Sequence, residues 1–358
     1  MGDRASTSPG WHIRRNGESR APAGPMEGSI IRGWPALLVV LLIAAAACYS
    51  FSPRPVPVFV PTALHPDGLL INGFARNGKR LVAVGEQGHI LIADDPAGPW
   101  NEAKVQPDRG STFTQVAYVG GDVVLAVGHD NLIVRSSDNG QTWKEIAFDP
   151  EQSIPFLGLA GPFDGKLFAF GAFGSLRISS DQGLTWQPVK NDAIGDHHIY
   201  AMVHPADGSL LLFGERGLMA RSVDGGQNWQ VLPSIYNGSF FGAIELPSKT
   251  LLTFGMRGNV FRSLDSGQTW QKSEVPAVAS LFGGAIAADG AVVLVGAGNA
   301  VFLSEDDGVH FKLDSGSGRR DFSTLLALPD GDWLLGGDDG IGLRHGDTVT
   351  VPTAGAMR

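Results

Sequence analysis

The sequence predicts an all-β fold, a seven-bladed β-propeller behind an N-terminal membrane anchor or signal segment, and three repeated features carry that prediction. A glycine closes a short apolar run seven times, at Gly85, Gly128, Gly171, Gly214, Gly255, Gly296 and Gly337, spaced by 43, 43, 43, 41, 41 and 41 residues. Ten residues beyond each stands an aspartate: Asp95, Asp138, Asp181, Asp224, Asp265, Asp306 and Asp347. Five residues further comes an aromatic, Trp100, Trp143, Trp186, Trp229, Trp270 or Phe311, with Pro352 in the seventh copy. Units of roughly 40–45 residues, each with room for about four short strands, are the mark of propeller blades.

Taken in chain order, residues 1–29 are rich in Gly, Pro, Arg and Ser and show no apolar period, so they read as a disordered extension. Met26 is a candidate true start, because a complete export signal follows it. Residues 30–49 read as a membrane anchor or lipoprotein signal: Arg32 precedes the uncharged run Trp34 to Tyr49. The cation on its N-terminal side places the body outside the cytoplasm, on the periplasmic side of a bacterial inner membrane. Cys48, the only cysteine, follows Ala45-Ala46-Ala47 and is a candidate lipidation site; the alternative is an uncleaved anchor. Residues 50–68 read as a linker, stiffened by Pro53, Pro55 and Pro57.

The propeller is expected over 69–352. Apolar runs such as Leu81 to Val84, Val123 to Val127, Leu210 to Phe213 and Val292 to Val295 fit strands sandwiched between neighbouring blades. Asn77-Gly78, Asp164-Gly165, Asp207-Gly208, Asp289-Gly290 and Asp330-Gly331 supply hairpin turns just ahead of such runs. The unit around Ser263-Leu264-Asp265-Ser266-Gly267-Gln268-Thr269-Trp270 then makes the next turn. Its carboxylate accepts nearby backbone N–H groups, its glycine takes a positive φ, and its tryptophan anchors the following strand. The turn glycine is replaced by Ala97 in the first copy and Val349 in the last, as terminal repeats commonly are. How the ring closes stays open between residues 348–351 completing blade seven and Val58-Phe59-Val60 adding an outer strand.

The loops after the seven ruler glycines share one face with the connections between blades, and the aspartate turns lie on the other. The loop set varies from copy to copy: Glu86-Gln87, His129-Asp130, Ala172-Phe173, Glu215-Arg216, Met256-Arg257, Ala297-Gly298 and Asp338-Asp339. Variable loops on a constant frame are where a binding site belongs. Phe173, Arg216 and Arg257 fall in equivalent loops of blades three to five and form the first candidate surface, opposite Asp338, Asp339 and Glu86. Arg135, Arg221, Arg262 and Arg344, each just ahead of an aspartate turn, form the second; paired with blade-edge carboxylates they would be structural instead. The net charge is −9, and because residues 1–49 carry a surplus of two positive charges the rest holds about −11. That balance argues against nonspecific nucleic-acid binding.

The Ser-x-Asp-x-Gly-x-Thr-Trp turn resembles the Asp-box, or BNR repeat, of sialidase-type propellers. The longer unit, with its apolar strand, Gly-x-x-Gly loop and the Arg-Ser pairs 135–136, 221–222 and 262–263, resembles the photosystem II stability/assembly factor family of plants and cyanobacteria over roughly residues 69 to 350. That resemblance implies seven blades, export or lipid anchoring, no catalytic activity, an arginine patch for an acidic protein partner, and a role in photosynthesis or at another membrane complex. Some bacterial relatives of that family are associated with resistance-nodulation-division exporters, so a partner of that kind is also implied.

A sialidase would need an arginine triad, a tyrosine with its glutamate and an acid aspartate, yet the body after the anchor holds only Tyr118, Tyr200 and Tyr236 and no Phe-Arg-Ile-Pro signature. Other glycosidases need two carboxylates in one cleft, for which Asp130, Glu215, Asp338 and Asp339 are the candidates. Asp196-His197-His198 is the densest metal-like cluster, but adjacent side chains in an extended segment point to opposite sides. The expectation is therefore a protein-binding propeller with no catalytic residue, metal or cofactor; the alternatives are an Asp-box glycoside hydrolase and a lectin-like module.

Overall fold

The computed structural model describes residues 33–52, 68–316, 318–346 and 348–353. Asp347, Met26, the extension 1–29, the spacer prolines and Val58-Phe59-Val60 lie outside them. The chain divides into two units, 1–60 and 61–358.

In the first unit, α1 spans Trp34–Phe51, with Pro35 in its opening turn where a missing N–H costs nothing. Its 18 residues extend about 27 Å at 1.5 Å per residue. None is buried, and the mean hydropathy is 2.1. The helix is long and apolar enough to cross a membrane, a test that a signal sequence near the N-terminus also passes. Cys48 lies exposed in its last turns.

The second unit is a seven-bladed propeller. Each blade is an antiparallel meander of four strands in sequence order; their strands span 71–102, 113–147, 156–188, 199–231, 240–272, 281–315 and 322–350. Blade 2 has a fifth strand that the sequence reading missed: Lys104–Gln106, arriving from blade 1, pairs in parallel with Thr142–Ala147. First strands of successive blades pack on one another around the ring, so they are innermost.

Seven hydrophobic clusters fill the seven gaps between adjacent blades. Between blades 1 and 2, for example, Val82, Val84 and Ile90 meet Val124, Ala126 and Trp143. Between blades 7 and 1, Leu334 and Ile341 meet Leu81, Leu91 and Trp100. Every blade thus buries both faces against neighbours, which is why its second strands read as unbroken apolar runs. Closure is made at the chain's end. The strand Thr348–Thr350 completes blade 7, and beyond it the Thr353 amide donates to Ala97 O at 3.0 Å while the Trp100 amide donates to Thr353 O at 3.1 Å.

The ruler glycines have one physical cause. All seven are extended, so backbone freedom is not what selects them. A Cβ would lie 1.9–2.2 Å from the carbonyl oxygen just before the blade's first strand, such as His198 O for Gly214 and Ser239 O for Gly255. The same oxygens accept the N–H of the residue after the glycine, from Glu215 at 3.0 Å and Met256 at 2.9 Å. The glycine lets two strands close to bonding distance at the mouth of the loop face. At that point every first strand carries a bulge, which leaves one residue per blade out of the ladder register.

Candidate functional site

The aspartate turns form one face. In blade 3, Ser179 Oγ donates to Asp181 Oδ1 at 2.7 Å, and the Gly183 amide donates to Ser179 Oγ at 2.9 Å. The Thr185 amide and hydroxyl donate to the two oxygens of Asp181 at 2.9 and 2.6 Å. The pattern repeats at Asp138, Asp224, Asp265 and Asp306, with Asn228 and His310 in place of threonine in blades 4 and 6. Asp95 is weaker: among the described residues its carboxylate accepts the Ala97 amide alone, at 2.8 Å. The serine, not the aspartate, is the buried centre: Ser136, Ser179, Ser222 and Ser263 are each 1% exposed. These donors hold the carboxyls of Asp181 and Asp224 at about 2, led by the Thr185 hydroxyl in one and the Asn228 amide in the other. Each of these carboxylates is thus engaged by donors of its own turn.

The arginines ahead of these turns are engaged too. Arg221 pairs with Asp207, Arg262 with Asp307 at 3.1 Å and Arg344 with Asp314. Arg344 also lies over the Trp333 ring, and Arg135 donates to Gln182 O at 3.0 Å in the next blade's turn. These side chains stitch blade edges.

The other face is built differently. After each of five ruler glycines the loop makes a single tight turn with a left-handed residue at its centre: Gln87 at φ 55°, Phe173 at 53°, Arg216 at 52°, Arg257 at 58° and Gly298 at 71°. Only blade 6 uses the residue that favours this backbone. A phenylalanine and two arginines there cost about 1 kcal/mol or more each, and such strain collects at binding sites. Phe173 is 62% exposed, and Arg216 and Arg257 are exposed with no carboxylate in reach among the described residues. The three candidates thus share one sector of one face.

The acids across the ring are largely occupied. Asp339 pairs with Arg320, Glu86 accepts the Leu70 amide at 3.0 Å, and Asp130 accepts the hydroxyls of Ser111 at 2.8 Å and Ser153 at 2.9 Å. His197 and His198 diverge: His197 Nδ1 lies 2.9 Å from Ile194 O, while the His198 ring packs edge-on against Phe173. Among the described residues no group of three or more His, Cys, Asp or Glu side chains converges as a metal site would.

Sequence reasoning missed what lies between these loops. His198, Tyr200, Phe241 and Phe282 continue inward and around the ring from Phe173, each ring touching the next. Tyr200, Phe241 and Phe282 are spaced 41 residues apart, a signal visible in the sequence once the bulge position is known.

No protein-family model matches the chain, and no curated protein matches it. Solved structures do match. YCF48 from Cyanidioschyzon merolae aligns with a TM-score of 0.63 at 16% identity, over 78% of this chain and 96% of that one. A structure of YCF48 bound to a D1 peptide aligns at 0.65 and 18%, over 82% and 99%. The GH74 enzyme of Niastella koreensis aligns at 0.64 and 15%, over 82% and 54%. The chain shares their propeller fold. That fold serves binding proteins and enzymes alike, so it does not choose a function.

Proposed function

We propose that this chain is an exported propeller, tethered by residues 30–49 on the periplasmic side of the inner membrane, that holds a membrane-associated protein partner on its loop face and catalyses nothing. The partner would belong to a membrane complex or an exporter of the resistance-nodulation-division type. One observation carries the reading. Phe173, Arg216 and Arg257 stand exposed in left-handed backbone on one sector of the loop face, and neither arginine has an ion-pair partner among the described residues. Arginine and aromatic side chains are the usual interface anchors, and two free cations on an acidic body select an acidic partner. A YCF48 neighbour was solved with a peptide bound, which supports protein recognition by propellers of this shape.

The glycosidase alternative needs two free carboxylates facing one another across a cleft. Of its four candidates, Asp130 is engaged by Ser111 and Ser153, Asp338 by the Asp321 amide and Asp339 by Arg320, which leaves Glu215 with no unengaged partner among them.

Affinity capture from detergent-solubilised membranes tests the proposal. Arg216→Glu with Arg257→Glu should leave the melting temperature nearly unchanged, since exposed charges contribute little to folding. The pair should weaken capture of a specific membrane protein by tenfold or more, about 1.4 kcal/mol. Undiminished capture, or turnover of a glycoside by the unmodified chain, would overturn the reading.

A further inference from the structure

The seven bulge residues stand at the inner rim, where the innermost strands begin, and all are partly exposed. Their chemistry divides the rim in two. In blades 7, 1 and 2 the residue is polar and is spent on the next blade. Ser323 Oγ donates to Ile71 O at 2.6 Å, Asn72 Nδ2 to Phe113 O at 2.8 Å, and Thr114 Oγ1 to Phe156 O at 2.8 Å. In blades 3 to 6 it is Leu157, Tyr200, Phe241 or Phe282. No side chain among the described residues donates to the equivalent carbonyls of Ile199, Phe240, Leu281 and Phe322.

The aromatic side is continuous. Ring centroids lie 5.1 Å apart from Phe173 to His198, 6.2 Å from His198 to Tyr200, 5.4 Å from Tyr200 to Phe241 and 5.4 Å from Phe241 to Phe282. The arc runs from an exposed loop tip down to the channel mouth. Arg216 and Arg257 stand at the loop tips of the blades that supply Tyr200 and Phe241. Burial and the charge of Glu215 push the Tyr200 hydroxyl up, as in a partly dry site, and that hydroxyl has no hydrogen-bond partner among the described residues.

Building on the proposed protein-binding role, we infer that the channel mouth across blades 3 to 6 takes an extended acidic peptide segment by one inserted aromatic or large aliphatic side chain. The arc would receive the anchor, and Arg216 and Arg257 would pair with flanking carboxylates. A saccharide fits less well. The arc rings pack edge or tilted against one another, at 76°, 62°, 75° and 47°, so they do not form one coplanar stack along which successive sugar faces could lie.

The test uses the full chain in detergent and a displayed library of random dodecapeptides. Enriched peptides should carry an aromatic or large aliphatic residue within about three positions of Asp or Glu. Replacing that residue by Ser in a synthetic copy should weaken binding at least tenfold, and so should Phe241→Thr with Phe282→Thr in the protein. Should that double variant fail to fold, hydroxyl-radical footprinting of the unmodified chain decides, with protection expected at Phe173, Tyr200 and Phe282 on adding the peptide. No enrichment, enriched peptides without an apolar anchor, protection on the aspartate-turn face, or equal protection by a soluble β-glucan oligosaccharide would each overturn the inference. Membrane-partner capture that survives any of these results would leave the broader protein-binding role standing and sink only the aromatic site.

Discussion

At the residue scale, each repeated turn works because one serine and one carboxylate divide the orphan amides between them. Asp181→Ala removes the acceptor for the Ser179 hydroxyl and for the Thr185 amide and hydroxyl. The turn is partly exposed, so water replaces some of these bonds, and the expected loss is about 1 kcal/mol. Ser179→Ala should cost more, about 2 kcal/mol, because it leaves the buried Gly183 amide unpaired. Chemical denaturation of the two variants, with binding measured in parallel, checks both the order and the expectation that partner capture is unaffected.

The pH response follows from the same groups. Asp181 and Asp224 sit at about 2 against an ordinary 3.8, so the unfolded chain binds their protons more readily. Their contribution is complete above about pH 4 and is lost as the pH falls through 2. His310 works the other way. Its bond to Asp306, 2.6 Å at Nδ1, raises it above 6.5, so its contribution is complete below 6.5 and is lost as the pH rises through its folded value. Melting temperature against pH should therefore fall on both sides, and His310→Thr, which restores the blade 3 pattern, should flatten the upper side and, by removing a charge that lowers the Asp306 carboxyl, soften the acid side a little.

At the element scale, the ruler glycines hold the second strand's end against the entry of the first. Gly255→Ala would put a methyl group 2.1 Å from Ser239 O and force the end of blade 5's second strand away from the start of its first. A cost of about 3 kcal/mol is expected, above that of an ordinary overpacked site, since backbone and not a side chain must yield. Amide exchange should quicken first at Met256, whose N–H is bonded to that oxygen at 2.9 Å. A change confined to the aspartate turn of blade 5 would show that the glycine matters for another reason.

At the scale of the whole molecule, stability depends on a closed circle, because a blade with an open face exposes one of the seven interblade clusters. Deleting residues 348–358 removes the fourth strand of blade 7 and both bonds between Thr353 and the Ala97–Trp100 turn. Limited proteolysis should then cut near Ala97, in blade 1, although the deletion lies in sequence some 250 residues away. Cleavage within blade 7 alone would mean that the ring is held by the cluster between blades 7 and 1 without its clasp.

The sequence by itself determined the blade count, the apolar second strands and the first six aspartate turns, because those depend on local spacing: Gly, then Asp ten residues on, then an aromatic five further. The parallel strand Lys104–Gln106 exists only through its pairing with blade 2. The sequence also placed Phe173, Arg216 and Arg257 on a shared face, since equivalent positions in a ring must be neighbours. Which arginines are free was decided only in three dimensions. Arg221, Arg262 and Arg344 find Asp207, Asp307 and Asp314 at 14, 45 and 30 residues' distance, and Arg216 and Arg257 find none among the described residues. The aromatic arc was likewise hidden. Its members occupy a bulge, where one residue leaves the period-two pattern, so Tyr200, Phe241 and Phe282 read as ordinary strand residues. Only the ring, by bringing the first strands of blades 3 to 6 side by side, joins them into one surface.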